Sequence, residues 1–89
     1  MKKKFTALFN NSICFGLIEI LNINRVHKTA YVSWQISNGE NNPIAGLINN
    51  YFLGKDNFTN DEIYNLVKDQ IPKYRIGREK VFSNVEFEL

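Results

Sequence analysis

The chain has very few of the residues that build metal sites and thiol chemistry. Its 89 residues include one cysteine, Cys14, and one histidine, His27. A single thiol forms no disulfide within the chain, and its scarcity is typical of a reducing compartment. One thiol and one imidazole also fall short of the ligand sets that hold zinc. The sequence therefore predicts no disulfide and no metal site.

Catalytic motifs are equally scarce. No glycine-rich phosphate-binding motif occurs, and the only adjacent acidic pair, Asp61 and Glu62, is explained by helix capping. Cys14 and His27 would lie roughly 30 Å apart at opposite ends of a predicted strand, too far for a nucleophile–base pair. We therefore expect a protein that is not an enzyme and that carries no cofactor.

Long hydrophobic runs are also missing. No segment approaches the stretch of about 18 apolar residues that spans a membrane. The opening "MKKKFTALFNNSICFGLIEIL" imitates a signal peptide, but Asn10, Asn11 and Ser12 interrupt its apolar run and no small-residue cleavage site follows. The sequence therefore predicts a cytoplasmic protein with no membrane partner.

The composition that is present is that of a folded domain. Hydrophobic residues make up 44% and charged residues 22%, and the length predicts a single domain over residues 1–89. The net charge of +2 is small for a protein dedicated to nucleic acid. Thirteen asparagines, ten isoleucines and eight lysines against three alanines indicate an AT-rich gene, a bias shared by phages and other mobile elements.

Two segments have helical spacing and helical ends. In 42–54, "NPIAGLINNYFLG", Asn42 can cap a helix, Pro43 suits its first position and Gly54 suits its end. In 59–72, Thr59 and Glu62 form a capping box and Pro72 stops the helix. The sequence therefore predicts two helices.

Four other segments favour strands because they alternate or are rich in β-branched and aromatic residues. They are 3–9, where a helical turn is the alternative, 13–23, 29–37 and 80–89. Strands followed by helices predict an α+β fold: an antiparallel sheet of about four strands with two helices packed on one face, in the order β-β-β-α-α-β.

The loop of the central hairpin determines which residues share a face. With residues 24–28 in the loop, Ile23 pairs with Thr29 and, counting back along both strands, Leu17 pairs with Gln35. The helices should cover the face that carries Trp34. The opposite face should carry a row of unusually apolar residues, a candidate protein interface. Its members are Phe15, Leu17, Glu19, Leu21, Ile23 and Tyr31.

Three explanations are open for this apolar row. The row could be ordinary, because a terminal segment folds over it or because the register is off by one residue. It could instead contact another chain, since exposed apolar patches mark interfaces. That chain could be a second copy, giving a homodimer, or a foreign partner. A small-molecule pocket is the third explanation.

Cations cluster near the start of the chain and in "IPKYRIGREK", residues 71–80. The candidate nucleic-acid contacts are Lys2, Lys3, Lys4, Arg25, Lys28, Lys73, Tyr74, Arg75, Arg78 and Lys80. Side by side, the two clusters would form one stripe that attracts phosphates, and Tyr74 could stack on a base. Alternatively, residues 73–80 simply connect the second helix to the last strand, with cations that suit a helix C-terminus.

These features favour a small non-enzymatic binding protein. In size and build it resembles phage-encoded inhibitors such as anti-CRISPR proteins, although no motif is shared. We expect an inhibitor or adaptor that occupies a surface of a host protein or nucleoprotein complex. The main alternative is a small RNA- or DNA-binding domain that uses the basic segments, and an immunity or antitoxin partner is a third.

Overall fold

The computed structural model describes residues 1–39 and 42–89, and strands dominate it. The elements are β1 (Lys2–Phe9), β2 (Ser12–Asn24), β3 (Thr29–Ser37), β4 (Pro43–Phe52), α1 (Asn60–Gln70), a 3-10 turn (Ile71–Lys73), β5 (Arg75–Ile76), β6 (Glu79–Lys80) and β7 (Phe82–Phe87).

Five of these strands form one antiparallel sheet in the order β4-β3-β2-β1-β7. The first four strands follow each other as a meander, and α1 carries the chain back to the opposite edge, where β7 pairs with β1. Asn10 and Asn11 both adopt positive φ between β1 and β2, as a two-residue hairpin turn requires. Strand β1 is therefore a strand as predicted, and β4 and β7 form the two edges.

The core lies between α1 and one face of the sheet. Ile63, Tyr64 and Val67 of α1 are buried, and Ile71 follows them in the 3-10 turn. Beneath them the sheet contributes alternate residues of each strand. The buried sheet residues are Phe5, Ala7, Cys14, Ile18, Ile20, Ala30, Val32, Trp34, Ile36, Tyr51, Phe82 and Val85.

The predicted fold, about four strands and two helices in the order β-β-β-α-α-β, was wrong in its number of strands, its number of helices and its order. Residues 42–54 do not form a helix: Pro43–Phe52 is β4, hydrogen-bonded to β3 along its length. Helical and alternating spacing overlap in this segment, and β-branched isoleucines, an interior glycine and two asparagines all weaken a helix. Pairing with β3 satisfies the backbone groups through which the two strands face each other. The fold therefore has five strands in its main sheet and one helix on one face.

The second predicted helix is confirmed. Thr59 caps α1, and its side chain accepts a hydrogen bond from the backbone N–H of Glu62 at 3.2 Å. The α-helix ends at Gln70, and Pro72 lies within the 3-10 turn that follows. The capping residues and Pro72 thus mark this helix correctly.

The predicted register of the central hairpin is confirmed for residues 15–20, including the pair Leu17–Gln35. It fails beyond that point, because an irregularity at Leu21 shifts the pairing by one residue. Asn24, not Ile23, pairs with Thr29, and Ile23 pairs with Ala30 and packs against the core. A β-bulge of this kind moves every later side chain to the other face.

Candidate functional site

The face of the sheet opposite α1 is uncovered by any described segment. We call it the open face. The two ends of the chain form β1 and β7 within the sheet, so neither folds across this surface. The open face carries the side chains that alternate with the core residues. Its apolar members are Leu8, Ile13, Phe15, Leu17, Leu21, Tyr31, Ile48 and Phe52.

Several of these apolar side chains are largely in contact with solvent. Phe15 is 54% exposed, Ile48 57% and Phe52 69%. Single exposed apolar residues are ordinary, but a contiguous group of large ones on one sheet face is typical of a contact surface. The open face is therefore the strongest candidate site in the described part of the chain.

Five of the six residues predicted for the apolar row are solvent-accessible on this side. Phe15, Leu17 and Glu19 lie on β2 where the register predicted them, and Tyr31 lies beside them on β3. Leu21 sits at the bulge and is exposed. Ile23 was placed wrongly, because the bulge turns it toward the core.

A concavity with a volume of about 630 Å³ lies on the open face and opens to solvent. Phe15, Leu17, Gln35 and Ser37 line it, together with Lys4 and Glu88. Its volume falls within the range of small-molecule pockets, but such pockets enclose about 70–90% of their ligand. An open concavity with an apolar floor and charged sides fits a protruding group of a protein partner better.

Charged residues lie along the β1 side of the open face. Lys2 is the cross-strand neighbour of Glu19, and Glu86 is the neighbour of Thr6. Glu88 donates its backbone N–H to the carbonyl of Lys4 at 3.0 Å. The apolar area is thus bordered on one side by both signs of charge, as the polar rim of an interface is.

The two basic segments do not form one stripe. Lys2 and the turn with Arg25 and Lys28 lie at the end of the sheet where β1 begins. Lys2 and Lys4 lie on the open face, whereas the 73–80 segment begins on the α1 side of the sheet, where Tyr74 packs against Trp34.

Three of the predicted basic residues have structural contacts. The Arg25 guanidinium lies 4.3 Å from the centre of the Phe58 ring and donates to the backbone carbonyls of Asp56 and Phe58. The Lys3 ammonium lies 5.3 Å from the Phe87 ring, on the core side. Lys28 adopts positive φ in the turn, and its carbonyl accepts from the N–H of Leu53.

Residues 75–80 form a small exposed hairpin, with Arg75 paired to Lys80. Arg78 is exposed in the turn of this hairpin, and Lys73 is exposed just before it. Tyr74 is not free to stack on a base, because its half-buried ring packs edge-on against Trp34 at 5.2 Å. The segment connects α1 to β7, as predicted, and it also presents a compact group of cations.

The residues with reactive side chains are separated. Cys14 is buried, and burial raises the pKa of its thiol and disfavours the thiolate. His27 is exposed in the β2–β3 turn. Within residues 1–39 and 42–89, no three His, Cys, Asp or Glu side chains come close enough to hold a metal ion. Nor is any helix of these residues long and apolar enough to cross a membrane.

A second, smaller cavity of about 200 Å³ lies between β3, β4 and the end of α1. Trp34, Asn49, Tyr51, Gln70 and Lys73 line it. The indole N–H of Trp34 is buried beside the hydroxyl of Tyr51. Because that N–H is inaccessible, it offers a ligand no contact, and this cavity is a weaker candidate than the open face.

Sequence reasoning missed the contribution of β4 to the open face. Ile48 and Phe52 were assigned to a helix, but residues four positions apart share one side of a strand as well as of a helix, so their spacing did not distinguish the two. Ile13 was missed as well, because it was read as the ordinary start of a strand.

Comparison with known proteins gives no family for this chain: no family model matches it, and no curated protein or solved structure shows significant similarity to it.

Proposed function

We propose that this protein is a non-enzymatic binding module that attaches to another protein through the open face. The observation that carries the proposal is the group of exposed apolar side chains on a sheet face that no described segment covers. Covering such a face removes apolar surface from water, at about 25 cal/mol per Å². On the other face of the same sheet, α1 provides that cover.

The partner we propose is a host protein, alone or within a nucleoprotein complex, and the protein acts as a phage or mobile-element inhibitor or adaptor in the cytoplasm. The single thiol and the AT-rich residue usage support this setting by association. The concave area supports a partner with a protruding apolar group, and the border of Lys4, Glu86 and Glu88 supports one with charges of both signs around it.

The direct test replaces two exposed apolar residues of the open face. Phe15→Asp with Leu21→Asp should leave the domain folded, because neither side chain belongs to the core. Partner binding should fall sharply, since an interface would have to desolvate two carboxylates. Capture from host lysate, quantified by mass spectrometry, compares this variant with the wild type, and circular dichroism checks the fold.

Val26→Asp is the matched control, because Val26 is 84% exposed but lies in the β2–β3 turn, away from the open face. The proposal predicts that the control retains the captured proteins and that the double variant loses them. Equal capture by both variants would contradict it.

Nucleic-acid binding through residues 73–80 is the second candidate. It is supported by the exposed hairpin, where Arg75 and Lys80 are paired and Arg78 lies in the turn. Arg75→Glu with Arg78→Glu should weaken binding equally for all sequences and reduce its salt dependence. A wild type with no affinity for single- or double-stranded nucleic acid at low salt would eliminate this candidate. Nuclease treatment of the lysate distinguishes the two candidates, because it should abolish capture through nucleic acid and leave capture through the open face unchanged.

A further inference from the structure

The outer edge of β4 has unpaired backbone groups. β4 is the last strand of the sheet on its side. The N–H of Leu53 donates to the carbonyl of Lys28 at 2.8 Å. This bond shows which residues of β4 direct their N–H and C=O groups toward β3. Since antiparallel bonding alternates, the odd-numbered residues of β4 bond to β3. The even-numbered ones, Gly46, Ile48, Asn50 and Phe52, direct their N–H and C=O groups outward.

This edge lacks the usual protection against pairing. Natural edge strands are shielded by charged residues, prolines or bulges. β4 contains no charged residue, and its proline and register irregularity lie at its first residues. The other edge, β7, is shorter, contains Glu86 and is bent by positive φ at Asn84. One local bond among the described residues uses an outward group of β4: the N–H of Asn50 donates to the side chain of Asn49.

The outward groups of β4 match those of a second copy. About Ile48, the outward positions are symmetric: Gly46 and Asn50 lie two residues to either side. An antiparallel β4 from another copy, with Ile48 opposite Ile48, therefore pairs outward groups with outward groups along the strand. An uncharged strand meets its own copy without like-charge repulsion, and a twofold axis closes the assembly.

We infer that the protein forms a homodimer in which the two β4 strands pair antiparallel, centred on Ile48, to make one continuous ten-stranded sheet. This inference does not depend on the proposed function, because it uses the edge of the sheet. It has a consequence for the open face: the two open faces would join across the axis, where Ile48 of one copy lies beside Ile48 of the other.

A cysteine at the centre of the strand tests the register. Ile48→Cys places two thiols at a hydrogen-bonded pair, where Cα atoms are about 5.5 Å apart, within the range of a disulfide. Native Cys14 is buried and does not compete. In Asn50→Cys, the matched control, the two thiols lie about 13 Å apart along the strands. We expect Ile48→Cys to form a covalent dimer under mild oxidation, and Asn50→Cys to form no covalent dimer, as seen by electrophoresis without reductant.

Ile48→Lys tests the association itself. It puts two like charges at the axis and should convert the dimer to a monomer in analytical ultracentrifugation, while Val26→Lys in the exposed turn leaves the dimer intact. A wild type that sediments as a monomer up to millimolar concentration overturns the inference. Equal cross-linking of Ile48→Cys and Asn50→Cys overturns the register. The Phe15 and Leu21 variant should remain dimeric, which separates this test from that of the open face.

Discussion

At Gly16 the sheet leaves no room for a methyl group. A β-carbon there would lie 2.1 Å from Cζ of Phe5, the residue directly opposite on β1. Phe5 is fully buried, and its ring covers the backbone of the glycine. Aromatic residues cover cross-strand glycines in this way in other sheets. The glycine thus sets the position of the largest fully buried side chain in the core.

Gly16→Ala should therefore destabilise the fold by about 1–3 kcal/mol through overpacking. Urea unfolding followed by tryptophan fluorescence measures this as a lower midpoint. Gly39→Ala is the control, because a β-carbon there meets nothing within 4 Å and only its positive φ is unfavourable. Adding Phe5→Leu to Gly16→Ala should recover part of the loss. A Gly16→Ala protein as stable as the wild type would show that the Phe5 ring moves freely.

At the scale of elements, the sequence predicted local features better than long-range ones. The strand over residues 3–9, the cap at Thr59 and the register of residues 15–20 follow from neighbours in the chain, and all three are confirmed. β4 was missed because its state depends on the free edge of β3. The bulge at Leu21 was also missed, since no residue type marks it, and it moved Ile23 off the candidate site.

The cap of α1 can be tested separately. Thr59→Ala removes the acceptor for the N–H of Glu62 and should cost about 0.5–2 kcal/mol of stability. Thr59→Ser keeps the hydroxyl and should cost much less. Both are measured by urea unfolding, with an unchanged slope as the sign that only stability has changed. Equal stability of the alanine and serine variants would show that the cap contributes nothing.

At the scale of the whole molecule, the sheet is protected unevenly. β2 is bonded on both sides, to β1 and to β3, whereas β4 is bonded on one side only. The free energy needed to open the structure locally is lower where a strand has fewer hydrogen-bonded neighbours. Backbone amides at the β4 edge should therefore exchange with solvent faster than those at the centre of the sheet.

Amide hydrogen exchange in dilute protein should show this directly. The amides of Ile18 and Ile20, which bond to β1, should exchange slowly, while those of Gly46 and Ile48 exchange rapidly. Asn50 should be intermediate, because its N–H is held only by the neighbouring Asn49 side chain. Equal protection of the odd- and even-numbered β4 amides at low protein concentration would contradict the assignment of the outward groups. Protection of the even-numbered amides that rises with protein concentration would support the dimer.

The pairing of β7 with β1 has a mechanical consequence. Lys4 and Glu88 are neighbours at one end of this ladder, and Phe9 and Phe82 at the other. A pull applied to the two ends of the chain therefore acts at one end of the ladder. It breaks the hydrogen bonds between β1 and β7 one after another. Strands pulled along their lengths in opposite directions would load all their bonds together. An unfolding machine that grips the C-terminal end should thus peel β7 away with little force and open the core beside Phe82.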